Sequence, residues 1–152
     1  MSWPAPHEVW FSELLIGSYE AVVGAPMAPA GLAGADAAQW LYESPFCLLA
    51  HDTSPDPRFI YANLAAQKCF EYSWGEFTGM PSRLSAEAGT REARQAFMAT
   101  VLTQGYVSDY RGLRIAKSGR RFWIEDTTVW NLVDRDGTLH GQAALVRRTT
   151  SA

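Results

Sequence analysis

The chain has 152 residues, 47% of them apolar and 19% charged, and a formal net charge of −3. That balance suits a folded domain with a real core and excludes a disordered chain. No block of Lys or Arg accompanies the aromatics, so neither nucleic acid nor an anionic membrane is an expected partner. No apolar run approaches the roughly 20 residues that span a bilayer. Residues 1–8 lack the features of a signal peptide, so a cytoplasmic location is expected.

Glu8 to Val23 shows helical periodicity, with Phe11, Leu14, Leu15, Tyr19, Val22 and Val23 largely on one side and Trp10 and Ile16 broadening that face. Pro4 and Pro6 precede this amphipathic helix and Gly24 ends it. Ala25 to Gly31 reads as a stiff linker, so residues 1–34 form a helix-plus-linker unit ahead of a domain at 35–152. Asp36-x-x-Gln39 reads as a capping box for a short helix carrying Trp40, Leu41 and Tyr42.

Strands are expected at Phe46 to Ala50 and at Arg58 to Ala62, joined by a turn at Ser54-Pro55-Asp56-Pro57. Asn63 can cap the helix that follows, and Ser73-x-x-Glu76 is a capping box for the next one, which Gly79 closes. Met80 to Leu84 looks irregular. Thr90 to Leu102 reads as a helix, with Ala93, Phe97, Val101 and Leu102 near helical spacing. Three strands follow, Tyr106 to Ala116, Arg121 to Leu132 and Leu139 to Val146, with turns at Lys117–Arg120 and Asp134–Gly137. This order implies an α+β fold, a five-stranded antiparallel sheet with helices packed on one face.

Tyr61-x-Asn63-x-Ala65, followed by Tyr72-Ser73-x-x-Glu76-x-x-Gly79, resembles the first half of a PAS domain. More closely, Trp40 to Phe46, Leu48 to His51, Pro55 to Pro57, Met80 to Leu84, Lys117 to Phe122 and Val129 to Leu132 together resemble the MEKHLA domain, a PAS-related family. The resemblance spans about Glu8 to Val146. It implies a non-catalytic sensory or regulatory module that binds a small molecule between sheet and helices and signals to a separate protein.

The chain is also similar to the light-oxygen-voltage branch of PAS, the flavin photoreceptors. Ser82 stands where that branch places its reactive cysteine. The places of its flavin-holding amides fall on Arg114, Ile124 and Ala143, and only Arg83, which would face a flavin phosphate, is kept. A hydroxyl cannot supply thiolate chemistry, and cationic or apolar residues do not orient a flavin ring. No flavin is expected. The Thr90 to Gln104 helix offers no histidine for haem.

Strand alternation, read through the resemblance, points Leu48, Ala50, Arg114, Ile124, Asp126, Thr128 and Ala143 into the pocket. Arg83 completes the candidate ligand-binding set. Arg114 and Asp126 admit three readings: a structural ion pair, a site where Arg114 receives a small carboxylate or phosphate, or a register one residue off that sends both to solvent. The opposite strand residues Leu113, Ile115, Trp123, Val129 and Ala144 make the outer face apolar. The N-terminal helix is expected to cover part of that face, or to swap onto a partner in a homodimer.

His7, His51 and His140 follow no metal-ligand spacing. Cys47 and Cys69 read as two buried thiols. No serine sits in a nucleophile-elbow context, and Glu125 and Asp126, as strand neighbours, face opposite ways. A rival reading is a ligand-free interaction module whose pocket is filled by its own side chains. A cavity of several hundred Å³ would argue for the sensor.

Overall fold

The computed structural model describes residues 4–87 and 91–152. Helix α1, Val9–Val23, buries Phe11, Leu14, Leu15 and Tyr19 and stops at Gly24, whose φ of 82° is open to a residue without a side chain. Trp10 does not join the buried stripe and is 50% exposed. Helix α2, Gly34–Glu43, starts earlier than the expected box, because Gly34 at φ 60° lets the chain turn into the helix before Asp36. Asp36 therefore lies within the first turn, and Gln39 donates to Glu43 on the solvent side.

Strands β1, Cys47–His51, and β2, Phe59–Ala62, lead into α3, Leu64–Phe70, and α4, Trp74–Phe77. The Ser73–Glu76 capping box forms in both directions. Met80 to Leu84 is less irregular than expected, since Ser82–Ser85 is one turn of 3₁₀ helix. Helix α5, Arg91–Gln104, turns Arg94, Phe97, Met98 and Val101 inward and leaves Ala93 and Leu102 exposed. Thr90, its expected start, lies outside the described residues.

Strands β3, Tyr106–Ile115, β4, Arg121–Val133, and β5, Leu139–Ser151, complete a five-stranded antiparallel sheet in the order β2-β1-β5-β4-β3. β5 outruns its expected end because Thr149, Thr150 and Ser151 pair with Ile124, Trp123 and Phe122. Its last residues are polar and exposed, so hydropathy gives no sign of the extension.

Both faces of the central strands are covered. On one, α3, α4 and the β3–β4 hairpin enclose Phe59, Phe70, Phe77, Phe122 and Ile124. On the other, α1 lies against Leu48, Ala50, Trp130, Leu132, Ala143 and Leu145. The helices therefore do not all share one face. α1 takes the outer face of its own sheet, and Trp130 Nε1 donates to Ser18 Oγ on α1 at 2.9 Å.

Asn63 knots the domain. Its Oδ1 accepts from the backbone N–H of Ala66, capping α3, and from that of Leu48 on β1. Its Nδ2 donates to the carbonyls of Leu41 on α2 and Phe46. An amide side chain has two acceptor and two donor places, and a wholly buried Asn63 fills all four.

Two variants follow from this packing. Asn63→Ala leaves buried backbone groups without partners and should destabilise the fold by about 3 kcal/mol or more in urea denaturation. Asn63→Asp keeps the acceptor and loses the donors, so its midpoint should also fall. Ser18→Ala strands the buried Trp130 N–H and should lower stability by about 1–2 kcal/mol in the same assay.

Candidate functional site

The inner face of the sheet is not filled where α5 crosses it. A cavity of about 50 Å³ lies between α5 and strands β1, β3, β4 and β5, bordered by Leu49, His51, Arg94, Phe97, Met98, Arg114, Ile124, Val129 and Gln142. Such a space holds a few waters or a very small solute; ligand pockets for drug-sized molecules run to roughly 300–1,000 Å³. A shallower hollow of about 240 Å³ on the outer side of α5 shares His51, Met98 and Gln142 with it and gives the cavity a flank toward solvent.

Arg114 reaches the cavity from β3. Its Nη1 donates to the Leu113 carbonyl at 2.9 Å and its Nη2 to the Tyr110 hydroxyl at 3.4 Å. Tyr110 is itself stacked on Phe97 of α5, with ring centroids 3.8 Å apart. Gly112 makes this possible, since a Cβ there would lie 2.5 Å from the Tyr110 hydroxyl and 2.7 Å from Arg114 Nη1. The glycine lets the guanidinium lie back across the strand.

Arg94 enters from the helix and is only 8% exposed. Among the described residues it forms no hydrogen bond or ion pair. Burial, followed by the like charge of Arg114, lowers its pKa to about 10. Two guanidiniums thus border one small cavity.

His51, at the end of β1, shares a hydrogen bond between Nδ1 and the Asp52 carbonyl at 3.0 Å. Burial, the largest influence, brings its pKa down to about 4, with Arg94 pushing the same way. Gln142, across the β1–β5 ladder from His51, donates to the Met98 carbonyl and to Asn131 Oδ1. Among the described residues its Oε1 is buried without a well-aligned hydrogen bond, with His51 near enough to interact with it.

The expected site residues do not all meet here. Arg114 and Ile124 border the cavity. Leu48 points the other way, into the cluster under α1, and the side chains of Ala50 and Ala143 belong to that cluster although both residues border the cavity. Thr128 also lies on the α1 side, where its Oγ1 accepts from Arg147 Nη1 at 3.0 Å. Arg147 Nη2 continues to the Tyr19 hydroxyl on α1. Arg83 sits at the surface, paired with Asp56 at 3.2 Å.

Asp126 makes no pair with Arg114 among the described residues. Its backbone takes φ 49°, and its carbonyl accepts from Arg147. That turn reverses the alternation of β4, so Ile124 and Val129 share the inner face while Thr128 and Trp130 share the outer one. For the same reason Val129 and Ala144, expected outside, border the cavity, and Leu113 and Trp123 remain outside as a ladder pair. On β1 all residues from Cys47 to Ala50 are buried, so hydropathy carried no information about which parity faces in.

Arg94 and Gln142 are the residues the sequence reading missed. A signal for Arg94 existed: it stands three and four residues before Phe97 and Met98, a charge inside the helix's apolar stripe.

Cys47 is buried and Cys69 half-buried, both with free thiols. A hydrogen bond between the two lowers the Cys69 pKa, helped by Arg120, and raises that of Cys47. Among the described residues no group of three or more His, Cys, Asp or Glu could hold a metal ion, and no helix is long and apolar enough to cross a membrane.

The domain's likeness to known proteins fits this architecture. The model of the MEKHLA domain matches residues 9–151. The chain belongs to the MEKHLA family. Solved structures similar to this MEKHLA chain have the PAS fold. The PAS domain of a protein from Colwellia psychrerythraea aligns at 15% identity over 76% of this chain and 92% of that one, with a TM-score of 0.62. A fungal light-oxygen-voltage photoreceptor aligns at 18% identity over 91% of both chains, with a TM-score of 0.59. An RNA-binding light-oxygen-voltage receptor aligns at 20% identity and a TM-score of 0.61, over 75% of this chain and 32% of that one. At these identities the likeness shows the fold. Curated proteins give no match.

The residues present do not fit the flavin of the light-oxygen-voltage branch. A cavity of about 50 Å³ is smaller than a tricyclic ring needs, and its border carries Arg94 and Arg114 in place of amides. Ser82 is wholly buried in the 3₁₀ turn, and Arg83 faces Asp56.

The neutral His51 makes a pH prediction. Its folded pKa lies below the ordinary 6.5, so between pH 6.5 and about 4 the unfolded chain binds a proton that the folded chain refuses. Stability should therefore fall as pH drops through that window and level off below it. In His51→Gln the slope between pH 6.5 and 5 should flatten in urea titrations, above the range where the carboxylates begin to protonate.

Proposed function

We propose that this MEKHLA chain is a non-catalytic sensory module that admits a small ligand to the cavity under α5 and passes its occupancy to α1. One observation carries the reading. Residues that border the cavity alternate along β1, β4 and β5 with residues that hold α1. Leu49 is preceded by Leu48, Val129 is followed by Trp130, and Ala144 by Leu145. A ligand that shifts the inner side chains acts on the same strands to which α1 is fastened through Trp130–Ser18 and Arg147–Tyr19. The ligand works only by as much as it prefers one of the two arrangements.

Output through protein contacts is supported by what α1 leaves open. Trp10 is half-exposed on α1, and Trp123, stacked under Arg111 at 3.6 Å, lies on the outer face toward the hairpin. A homodimer or a separate signalling protein would meet these side chains. No convergent nucleophile or acid–base pair borders the cavity among the described residues, in keeping with a binding rather than a catalytic role.

The cavity's small volume favours a second reading, a ligand-free interaction module. Native mass spectrometry, followed by amide exchange of residues 9–23 with and without any molecule released, separates the two. A stoichiometric small molecule whose removal speeds exchange in α1 is the expected result. An empty protein that dimerises would give the place to the interaction module.

A further inference from the structure

The cavity's charge is unlike that of a pocket filled by its own side chains. Arg94 is more than nine-tenths buried and has no hydrogen-bonding or ionic partner among the described residues, and Arg114 uses two of the five N–H donors of its guanidinium. Among the described residues no Asp or Glu borders the space. Two acids directly follow cavity residues: Asp52 accepts through Oδ1 from the backbone N–H groups of Ser54 and Arg58 and from the Ser54 hydroxyl, and Glu125 accepts from Arg111 and Thr150. A buried cation beside a second cation is retained at a cost in stability unless something negative completes it.

We infer that the cavity is a receptor for a small oxoanion, of the carboxylate, nitrate or phosphate class, held between Arg94 and Arg114. Planar guanidinium forks match the paired oxygens of such anions, and charge-assisted hydrogen bonds in an enclosed site are the strong ones. The volume of about 50 Å³ sets the size: a few non-hydrogen atoms fit, and a nucleotide or flavin phosphate with its attached ring does not. Arg114 is pre-positioned by Tyr110 and by the open space over Gly112, so little side-chain freedom is lost on binding. Arg94 stands on α5 and Arg114 on β3, so the anion would draw the helix toward the strand. The inference rests on the sensory reading and names its ligand class.

The test is thermal unfolding and calorimetry of the whole chain against sodium acetate, nitrate and phosphate, with ionic strength held constant by sodium chloride. Wild type should show a saturable rise in melting temperature at millimolar concentration with at least one of the three; which one tells carboxylate from inorganic anion. Arg94→Met and Arg114→Met should each weaken binding by about 10- to 100-fold, the range expected for losing hydrogen bonds to a charged group. In chloride alone Arg94→Met should melt at or above the wild-type temperature, because it removes a buried charge that no described residue balances. A rise that never saturates and is equal in wild type and both variants is general salting and overturns the assignment. So does an Arg94→Met protein that melts well below wild type in chloride, since Arg94 would then be structural. If wild type and Arg94→Met retain the same neutral organic molecule in native mass spectra, the oxoanion is wrong and the sensory reading stands. If nothing binds and exchange in α1 never changes, both fail.

Discussion

The fold depends on one buried amide. Between Leu41 and Ala66 the chain makes two helices and two strands whose ends must meet without water, and every free backbone group at that junction needs a partner. Asn63 supplies four of those bonds at once, to α2, to the segment entering β1, to β1 itself and to the first turn of α3. Because it sits directly after β2, it also fixes where β2 ends. Gln67, one turn on, donates to the Ala62 carbonyl and the Tyr42 hydroxyl and extends the same knot. Hydrophobic contact makes the domain stable, and this set of directional bonds makes the junction unique.

The sheet then works as a wall with two occupied sides. On the α1 side aromatic contacts such as Tyr19 on Trp130 at 5.0 Å dominate, and Trp130 Nε1 and Arg147 have defined partners on α1, while the buried Tyr61 hydroxyl has none among the described residues. On the α5 side a cavity remains, and the polar groups there are less well satisfied: among the described residues Arg94 has no counter-charge and Gln142 Oε1 no well-aligned donor, and burial lowers the His51 pKa. Incomplete satisfaction in a buried place is costly, and the meeting of three such groups at one cavity is what makes it the candidate site. The Asp126 turn lies between the two sides. Its carbonyl and Thr128 hold Arg147, and Arg147 holds Tyr19, so the irregular point of β4 is tied to α1.

Much of this was legible in the residues. The helices, the strands and their order could be read from periodicity, and both the Asn63 cap and the Ser73–Glu76 box formed as their side-chain chemistry requires. The family could be read from long blocks such as Trp40 to Phe46 and Lys117 to Phe122. The site was legible only in part. Arg114 borders the cavity as simple alternation predicts because it lies in the regular end of β3 paired with Phe122, and Ile124 because it lies before the Asp126 turn. Beyond it, Thr128 was assigned to the wrong face, and on β1, buried on both sides, Leu48 was too. Arg94 was hidden by the habit of treating a helix's apolar stripe as if it contained only apolar residues.

Local order was thus determined by the sequence itself, because caps, turns and helical periodicity act between residues a few positions apart, and their energies are set by side-chain type alone. The antiparallel sheet with helices followed from the sequence of those elements. Which side of a doubly buried strand faces the cavity is another kind of question. It depends on the register between strands distant in the chain and on one residue, Asp126, held at positive φ by its place in the sheet. Only the tertiary structure decided that, and with it the meeting of Arg94 and Arg114, two charges 20 residues apart that no spacing rule connects.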